Sequence, residues 1–151
     1  MPDILHLLTI DAPPERVYQA LTTTEGVRNW WTRDATLDSH VGGSGEFAFY
    51  DRKTVTKASI AELVPPSRVG WRIADSTLPS WHGTSISFDL RPEGEGTVLR
   101  FAHRGFREAD DNYARVTTGW GYYVASLRKY LETGTGMPHP DVDFHRVVKQ
   151  P

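Results

Sequence analysis

The chain has 151 residues, 38% apolar and 24% charged, and its 17 Lys and Arg against 19 Asp and Glu leave a formal net charge of −2. This supports one core of ordinary domain size and gives neither the basic footprint of a nucleic-acid binder nor a polybasic surface for anionic lipid. No apolar run reaches the roughly 20 residues of a membrane-spanning helix, and Met1 to Ile10 is too short and too mixed for a signal peptide. A soluble, cytoplasmic protein without membrane insertion is therefore expected. The absence of cysteine excludes disulfides, thiolate-bound zinc, iron–sulfur clusters and a thiol nucleophile. Five Trp, six Tyr and six Phe stand out instead, because each large ring can bury roughly 150–250 Å².

In chain order, the apolar, partly β-branched run Ile4 to Ile10 predicts a strand, and Asp11-Ala12-Pro13-Pro14 after it carries helix-start chemistry. The helix Glu15 to Leu21 places Val17, Ala20 and Leu21 on one face. Thr24-Glu25-Gly26 then starts a second short helix that carries Val27, Trp30 and Trp31. From Ala35 to Arg104 the period falls to two, with turn signals recurring every ten residues or so. This predicts antiparallel strands at Thr36 to His40, Glu46 to Tyr50, Val55 to Val64, Arg68 to Ile73, Thr84 to Arg91 and Thr97 to Arg104. Between the fourth and fifth of these lies a longer loop, Ala74 to Gly83. With the first strand they make seven. Helical spacing returns after Phe106: Asp110 and Asp111 supply a cap, and Tyr113, Val116, Trp120, Tyr123, Val124, Leu127 and Leu131 repeat at three and four until Gly134. A helix from about Asp111 to Glu132 follows. Residues 1–134 form the expected domain, and residues 135–151, with three prolines and no clear period, a C-terminal extension.

A strand, two short helices, six more antiparallel strands and a long last helix is the order of the START-like, or helix-grip, fold, an α+β design in which a curved seven-stranded antiparallel sheet wraps the C-terminal helix. Several segments add specificity: Pro14-Glu15-Arg16-Val17-Tyr18-Gln19-Ala20-Leu21-Thr22, Val41-Gly42-Gly43-Ser44-Gly45, Ala61 to Val69, Gly96 to Phe106, and Gly119-Trp120. Over Ile4 to Gly134 the chain resembles the family named after the activator of the heat-shock protein 90 ATPase, within the START-like superfamily. The resemblance implies a cavity between sheet and last helix for a small hydrophobic or amphipathic molecule. It leaves open a cyclase- or hydrolase-type enzyme, a chaperone partner and a homodimer, and it implies neither cofactor nor metal.

Alternation assigns the inward side chains. Leu99, Phe101 and His103 share one face of the last strand, and Ile86, Phe88 and Leu90 one face of the strand before it. His103 is then a core histidine satisfied by a backbone group or by Glu62, or else a ligand contact. Glu62 shares a face with Ile60 and Val64 and reads as an inward carboxylate, unless a one-residue bulge turns it outward; beside His103 it would make an acid/base pair. Trp71 reads as strand core and Trp120 as the ring that fills the sheet's grip. Gly119 beside it reads as a close approach that a leucine would force open. Trp30, Trp31 and Trp81 are candidates for the cavity mouth, and Trp81 lies in a loop that could equally fold onto the sheet. The expected ligand-binding set is Trp30, Phe49, Glu62, Trp71, Trp81, Phe88, Phe101, His103, Trp120 and Tyr123. His139-Pro140-Asp141-Val142-Asp143-Phe144-His145 offers ligand-type side chains at alternate positions, but in a solvated tail rather than a converging metal site.

Overall fold

The computed structural model describes residues 1–142. In chain order it contains β1 (Ile4–Ile10), α1 (Pro14–Thr22), α2 (Thr24–Trp30), β2 (Asp34–Leu37), β3 (Ser44–Phe49), β4 (Thr54–Val64), β5 (Arg68–Ser76), a 3-10 turn (Pro79–Trp81), β6 (Ser85–Glu93), β7 (Gly96–Arg104) and α3 (Asp111–Thr133). The seven strands form one open antiparallel sheet in the order β1-β7-β6-β5-β4-β3-β2. β2 to β7 are therefore a meander, β1 lies beside β7, and α1 and α2 carry the chain from one edge of the sheet to the other. With α3, about 35 Å long at 1.5 Å per residue, packed against the inner face, this is the helix-grip arrangement expected from the element order.

Register fixes what lies inside. Leu99, Phe101 and His103 of β7 stand opposite Leu90, Phe88 and Ile86 of β6, and opposite Leu8, His6 and Ile4 of β1. The β7 trio is buried, while Arg100 and Arg104 of the alternate set are exposed. A one-residue slip would bring those guanidinium groups into the core, so the alternation itself specifies the pairing. Capping sets the helices: Thr23 Oγ1 accepts the Gly26 N–H at the start of α2 (2.9 Å), and Asp110 accepts the Tyr113 N–H at the start of α3 (2.9 Å). α3 ends at Gly134, whose φ of 88° is the left-handed C-cap conformation.

Three segments differ from the sequence expectation. β2 begins and ends earlier than Thr36 to His40, because Asp38 to Gly43 closes into a compact turn, with the His40 N–H donating to Asp38 O and the Gly43 N–H to His40 O. The loop expected over Ala74 to Gly83 is shorter, since β5 continues to Ser76 and Pro79–Trp81 forms a helical turn. In the C-terminal extension, the Met137 N–H donates to Ser126 Oγ, whose hydroxyl donates to Trp30 O, and the His139 N–H donates to Trp31 O. Asp141 pairs with Arg33 at 2.6 Å. Residues 135–142 are thus bonded along α2 and α3.

At the β3–β4 turn, Tyr50, Asp51 and Arg52 all take left-handed backbone angles (φ 54°, 54° and 66°) without a glycine among them. That conformation costs a non-glycine residue on the order of 1 kcal/mol. Arg52 helps hold it, paired with Asp34 at 2.9 Å and Glu46 at 2.6 Å.

α1 and α2 meet without room for a side chain at Gly26, where a Cβ would lie 2.5 Å from Ala20 O and 2.6 Å from Ala20 Cα. Alanine is the better helix former by about 1 kcal/mol, but the obstructing atoms are backbone and cannot swing aside. Gly26→Ala is therefore expected to lower stability by a net 1–3 kcal/mol or so in urea unfolding; a variant more stable than wild type would show that α1 and α2 do not approach this closely.

Candidate functional site: an aromatic cavity beside a buried histidine

His103 is fully buried on β7. The Trp120 indole N–H, from α3, donates to His103 Nδ1 at 3.0 Å, so Nδ1 carries no proton. The proton of the neutral ring then sits on Nε2 and is donated to Thr84 Oγ1 at 2.9 Å, and the Thr84 hydroxyl donates to Trp81 O at 2.6 Å. Each donor in this chain is used once, and Trp81 O also accepts the Thr84 backbone N–H at 3.1 Å. Burial, with Trp81 and Phe106 edge-on to the ring at centroid distances of 4.6 and 4.5 Å, lowers the His103 pKa from 6.5 to about 3. His103 is thus a satisfied core histidine, held by Trp120 and Thr84 rather than by a backbone group or Glu62.

Glu62 faces the other way. The β4–β5 register shifts between Ile60 and Glu62, which inserts Ala61 as a bulge. After it Leu63 packs toward the core, while Glu62 and Val64 face solvent on the outer surface. The Glu62 carboxylate is held by Arg68, which also pairs with Asp89. Glu62 and His103 lie on opposite faces of the sheet, and the acid/base pair considered from the sequence does not form.

A cavity of about 80 Å³ opens between α3, the 3-10 turn and the strands β3 and β4. Its walls are rings from four elements: Trp31 after α2, Phe49 at the end of β3, Trp81 in the 3-10 turn, and Trp120 and Tyr123 on α3. Thr54 and Thr56 add hydroxyls from β4, and Arg115, Val116 and Gly119 complete the α3 side. Trp31 is the hinge of the cluster, with ring centroids 4.5 Å from Phe47, 5.0 Å from Trp120 and 5.7 Å from Phe49. Trp81 lies over Trp120 at 6.1 Å. Its loop therefore folds down onto the sheet and walls the cavity at once.

Of the ten residues expected to line a site, Phe49, Trp81, Trp120 and Tyr123 border this cavity. Trp30, Trp71, Phe88, Phe101 and His103 form the solid core behind it, with Trp71 and Phe88 5.2 Å apart and Phe101 4.5 Å from Trp120. Trp30 is turned inward because its indole N–H donates to Ala20 O at 2.9 Å; its neighbour Trp31 takes the wall position. Gly119 borders the cavity and is half-buried, which corrects its reading as the point of closest helix–sheet approach. Arg115, Tyr50, Thr54, Thr56, Leu78 and Val116 were not singled out by the sequence. Arg115 carried a faint signal in being one helical turn before Gly119.

Among the described residues no group of three or more His, Cys, Asp or Glu is placed to hold a metal ion, and no helix is long and apolar enough to cross a membrane. His139 Nε2 accepts the Tyr50 N–H at 3.0 Å. Asp141 is taken by Arg33, and Asp143 and His145 lie outside the described residues.

The seven-stranded open sheet, two short helices after the first strand and long last helix define the class as START-like, helix-grip α+β. Within that class, residues 11–132 match the family described as Activator of Hsp90 ATPase homolog 1-like protein, and the chain belongs to that family. It is similar to Aha1 of Colwellia psychrerythraea, whose solution structure is a dimer: identity is 36%, over 90% of this chain and 100% of that one, with a TM-score of 0.81. Protein MLL2253 of Mesorhizobium loti shares the fold at 22% identity, over 87% of this chain and 97% of that one, with a TM-score of 0.76. CalU16 of Micromonospora echinospora shares it at 20% identity, over 87% and 77%, with a TM-score of 0.68. Among curated proteins there is no match.

Because the folded protein keeps His103 neutral down to about pH 3 whereas an unfolded histidine titrates near 6.5, only the unfolded state gains a proton between those values. Stability from this group is therefore complete above pH 6.5 and falls as pH drops, by about 1.4 kcal/mol per unit. His103→Gln offers an amide oxygen to Trp120 and an amide N–H to Thr84, so it should fold without this dependence. Denaturant titrations from pH 7 to 4 are expected to show a slope about 1.4 kcal/mol per unit steeper in wild type than in the variant; equal slopes would mean His103 titrates freely in the folded state.

Proposed function

We propose that the protein is a START-like binding domain that takes up a small apolar or amphipathic molecule between Trp31, Phe49, Trp81 and the first half of α3. The observation that carries this reading is the cavity itself: a partly open, mostly apolar recess, half of whose lining residues are aromatic, beside a tightly packed core. Apolar surface left at such a mouth is worth about 25 cal/mol per Å² when a ligand covers it. Its volume of about 80 Å³ suits a single ring or a short chain. A larger hollow of about 610 Å³ lies on the outer face of the sheet, but it is walled by Glu62, Arg68, Asp89, Arg91 and Arg100, the first three of them already ion-paired. Leu7, Val64, Leu90 and Val98 share that surface with these charges, so an apolar molecule there would also have to cover charged side chains.

Gly119 gives the test. A leucine there projects from the cavity side of α3 and fills the recess, while as a residue type it favours the helix by up to about 1 kcal/mol over glycine. With indole as the probe, wild type is expected to melt at higher temperature in its presence and to carry its added mass in native mass spectrometry. Gly119→Leu is expected to melt no lower than wild type without indole and to gain nothing from it. Indole binding that survives the leucine, or no indole binding by wild type, would contradict the cavity as the ligand site.

A further inference from the structure

One wall of the cavity is held from beyond residue 132. Phe49 and Tyr50 border the cavity. Both rings pack on His139, at centroid distances of 5.4 and 4.7 Å, and His139 Nε2 accepts the Tyr50 N–H at 3.0 Å. A ring nitrogen that accepts carries no proton, so the neutral His139 ring is protonated at Nδ1. The backbone of His139 is fixed separately: its N–H donates to Trp31 O and its carbonyl accepts the Arg33 N–H, both at 2.9 Å. Titration of the ring therefore acts on the bond to Tyr50 while the backbone stays tied to the segment after α2. That bond also holds a turn in an unfavourable conformation. Tyr50, Asp51 and Arg52 are left-handed, with His139 bound to the first of them and the ion pairs of Arg52 securing the third.

A proton on Nε2 would set one donor against another and leave the Tyr50 N–H without its acceptor. Among the described residues, the charged groups about the ring are Asp51 from the turn and Asp141 from the extension, which favour the imidazolium, with Arg33 taken up by Asp141 and Asp34 by Arg52. From α3, the Tyr122 and Tyr123 phenols are pushed above their usual value by burial and stay neutral. Burial of the imidazole outweighs the two carboxylates and holds its pKa below the usual 6.5. The neutral ring on Tyr50 is thus the state at pH 7, and a protonated ring has two carboxylates to turn to. We propose that His139 is an acid-released clasp on the cavity: neutral, it keeps Phe49 and Tyr50 in the wall, and protonated, it lets go of Tyr50 and weakens the hold on the ligand. This rests on the binding-domain reading above and adds its regulation. His103, neutral down to about pH 3, takes no part in the switch.

The Tyr50 amide reports the clasp, and indole affinity reports its consequence. Both are followed from pH 7.5 to 5 in the ¹⁵N-labelled protein as wild type, as His139→Gln, whose side-chain oxygen accepts an N–H but does not titrate, and as His139→Ala, which has no acceptor. In wild type the Tyr50 amide signal is expected to move, and its protection against hydrogen exchange to fall, as the His139 ring gains its proton, while the indole dissociation constant rises about threefold or more by pH 5. His139→Gln is expected to hold the indole constant within about twofold over the same range, and His139→Ala to show low protection and weak binding already at pH 7.5. A Tyr50 amide that does not respond to the titration of His139 overturns the clasp. An amide that responds while indole affinity stays level, an equal loss of affinity in His139→Gln, or wild-type affinity in His139→Ala overturns the control of binding and leaves the binding domain standing. No indole binding at any pH takes away the binding reading and the control with it, whatever the amide does.

Discussion

The hydrogen-bond chain from Trp120 through His103 and Thr84 to Trp81 joins four parts of the structure that local sequence cannot hold together: the long helix, the last strand, the entry to the strand beside it, and the 3-10 turn. It works only with a neutral imidazole carrying its proton on Nε2. A protonated ring would put a second donor against the Trp120 N–H and a charge into a site walled by Trp81, Phe106 and Trp120. Both indoles at the ends of the chain are also walls of the cavity. His103 therefore links two walls of the candidate site, Trp120 and the Trp81 turn, without itself bordering the recess.

Support also comes from the other end of the cavity. Phe49 and Tyr50 pack against His139, with ring centroids 5.4 and 4.7 Å apart, and His139 accepts the Tyr50 N–H. His139 lies beyond residue 132, where the match to the family ends. The left-handed turn Tyr50-Asp51-Arg52 is thus buttressed by the extension on one side and by the ion pairs of Arg52 on the other. Walls held from both ends in this way would leave little ordering to be done on binding, which supports the proposed reading of the recess.

The sheet was legible because its pattern is a physical consequence of burial on one face: β6 and β7 alternate cleanly, and Leu99, Phe101 and His103 fell inside as their parity required. Glu62 was not legible, because a bulge at Ala61 reverses parity without any mark in composition. Trp30 and Trp31 are adjacent at a helix end, where a rotation of one residue decides which ring reaches the core; the deciding contact is a hydrogen bond to Ala20 that pattern does not reveal. The inward position of His103 could be read, but its partners could not. Thr84 and Trp120 are 19 and 17 residues away along the chain and arrive on different elements. Arg115 has no clear sequence signature for a related reason, since an arginine in the first turns of an amphipathic helix normally faces water, and only the tertiary placement of the Trp81 loop makes it part of a rim.

The claim on which this account rests is the state of one imidazole, and long-range ¹H–¹⁵N correlation of the histidine rings reads it directly. The account predicts that His103 shows a protonated Nε2 and an unprotonated, hydrogen-bond-accepting Nδ1 at pH 7, and that this pattern persists unchanged to about pH 4 for as long as the protein stays folded. An Nδ1-protonated ring at neutral pH, or an imidazolium signature appearing in the folded protein near pH 6, would contradict it.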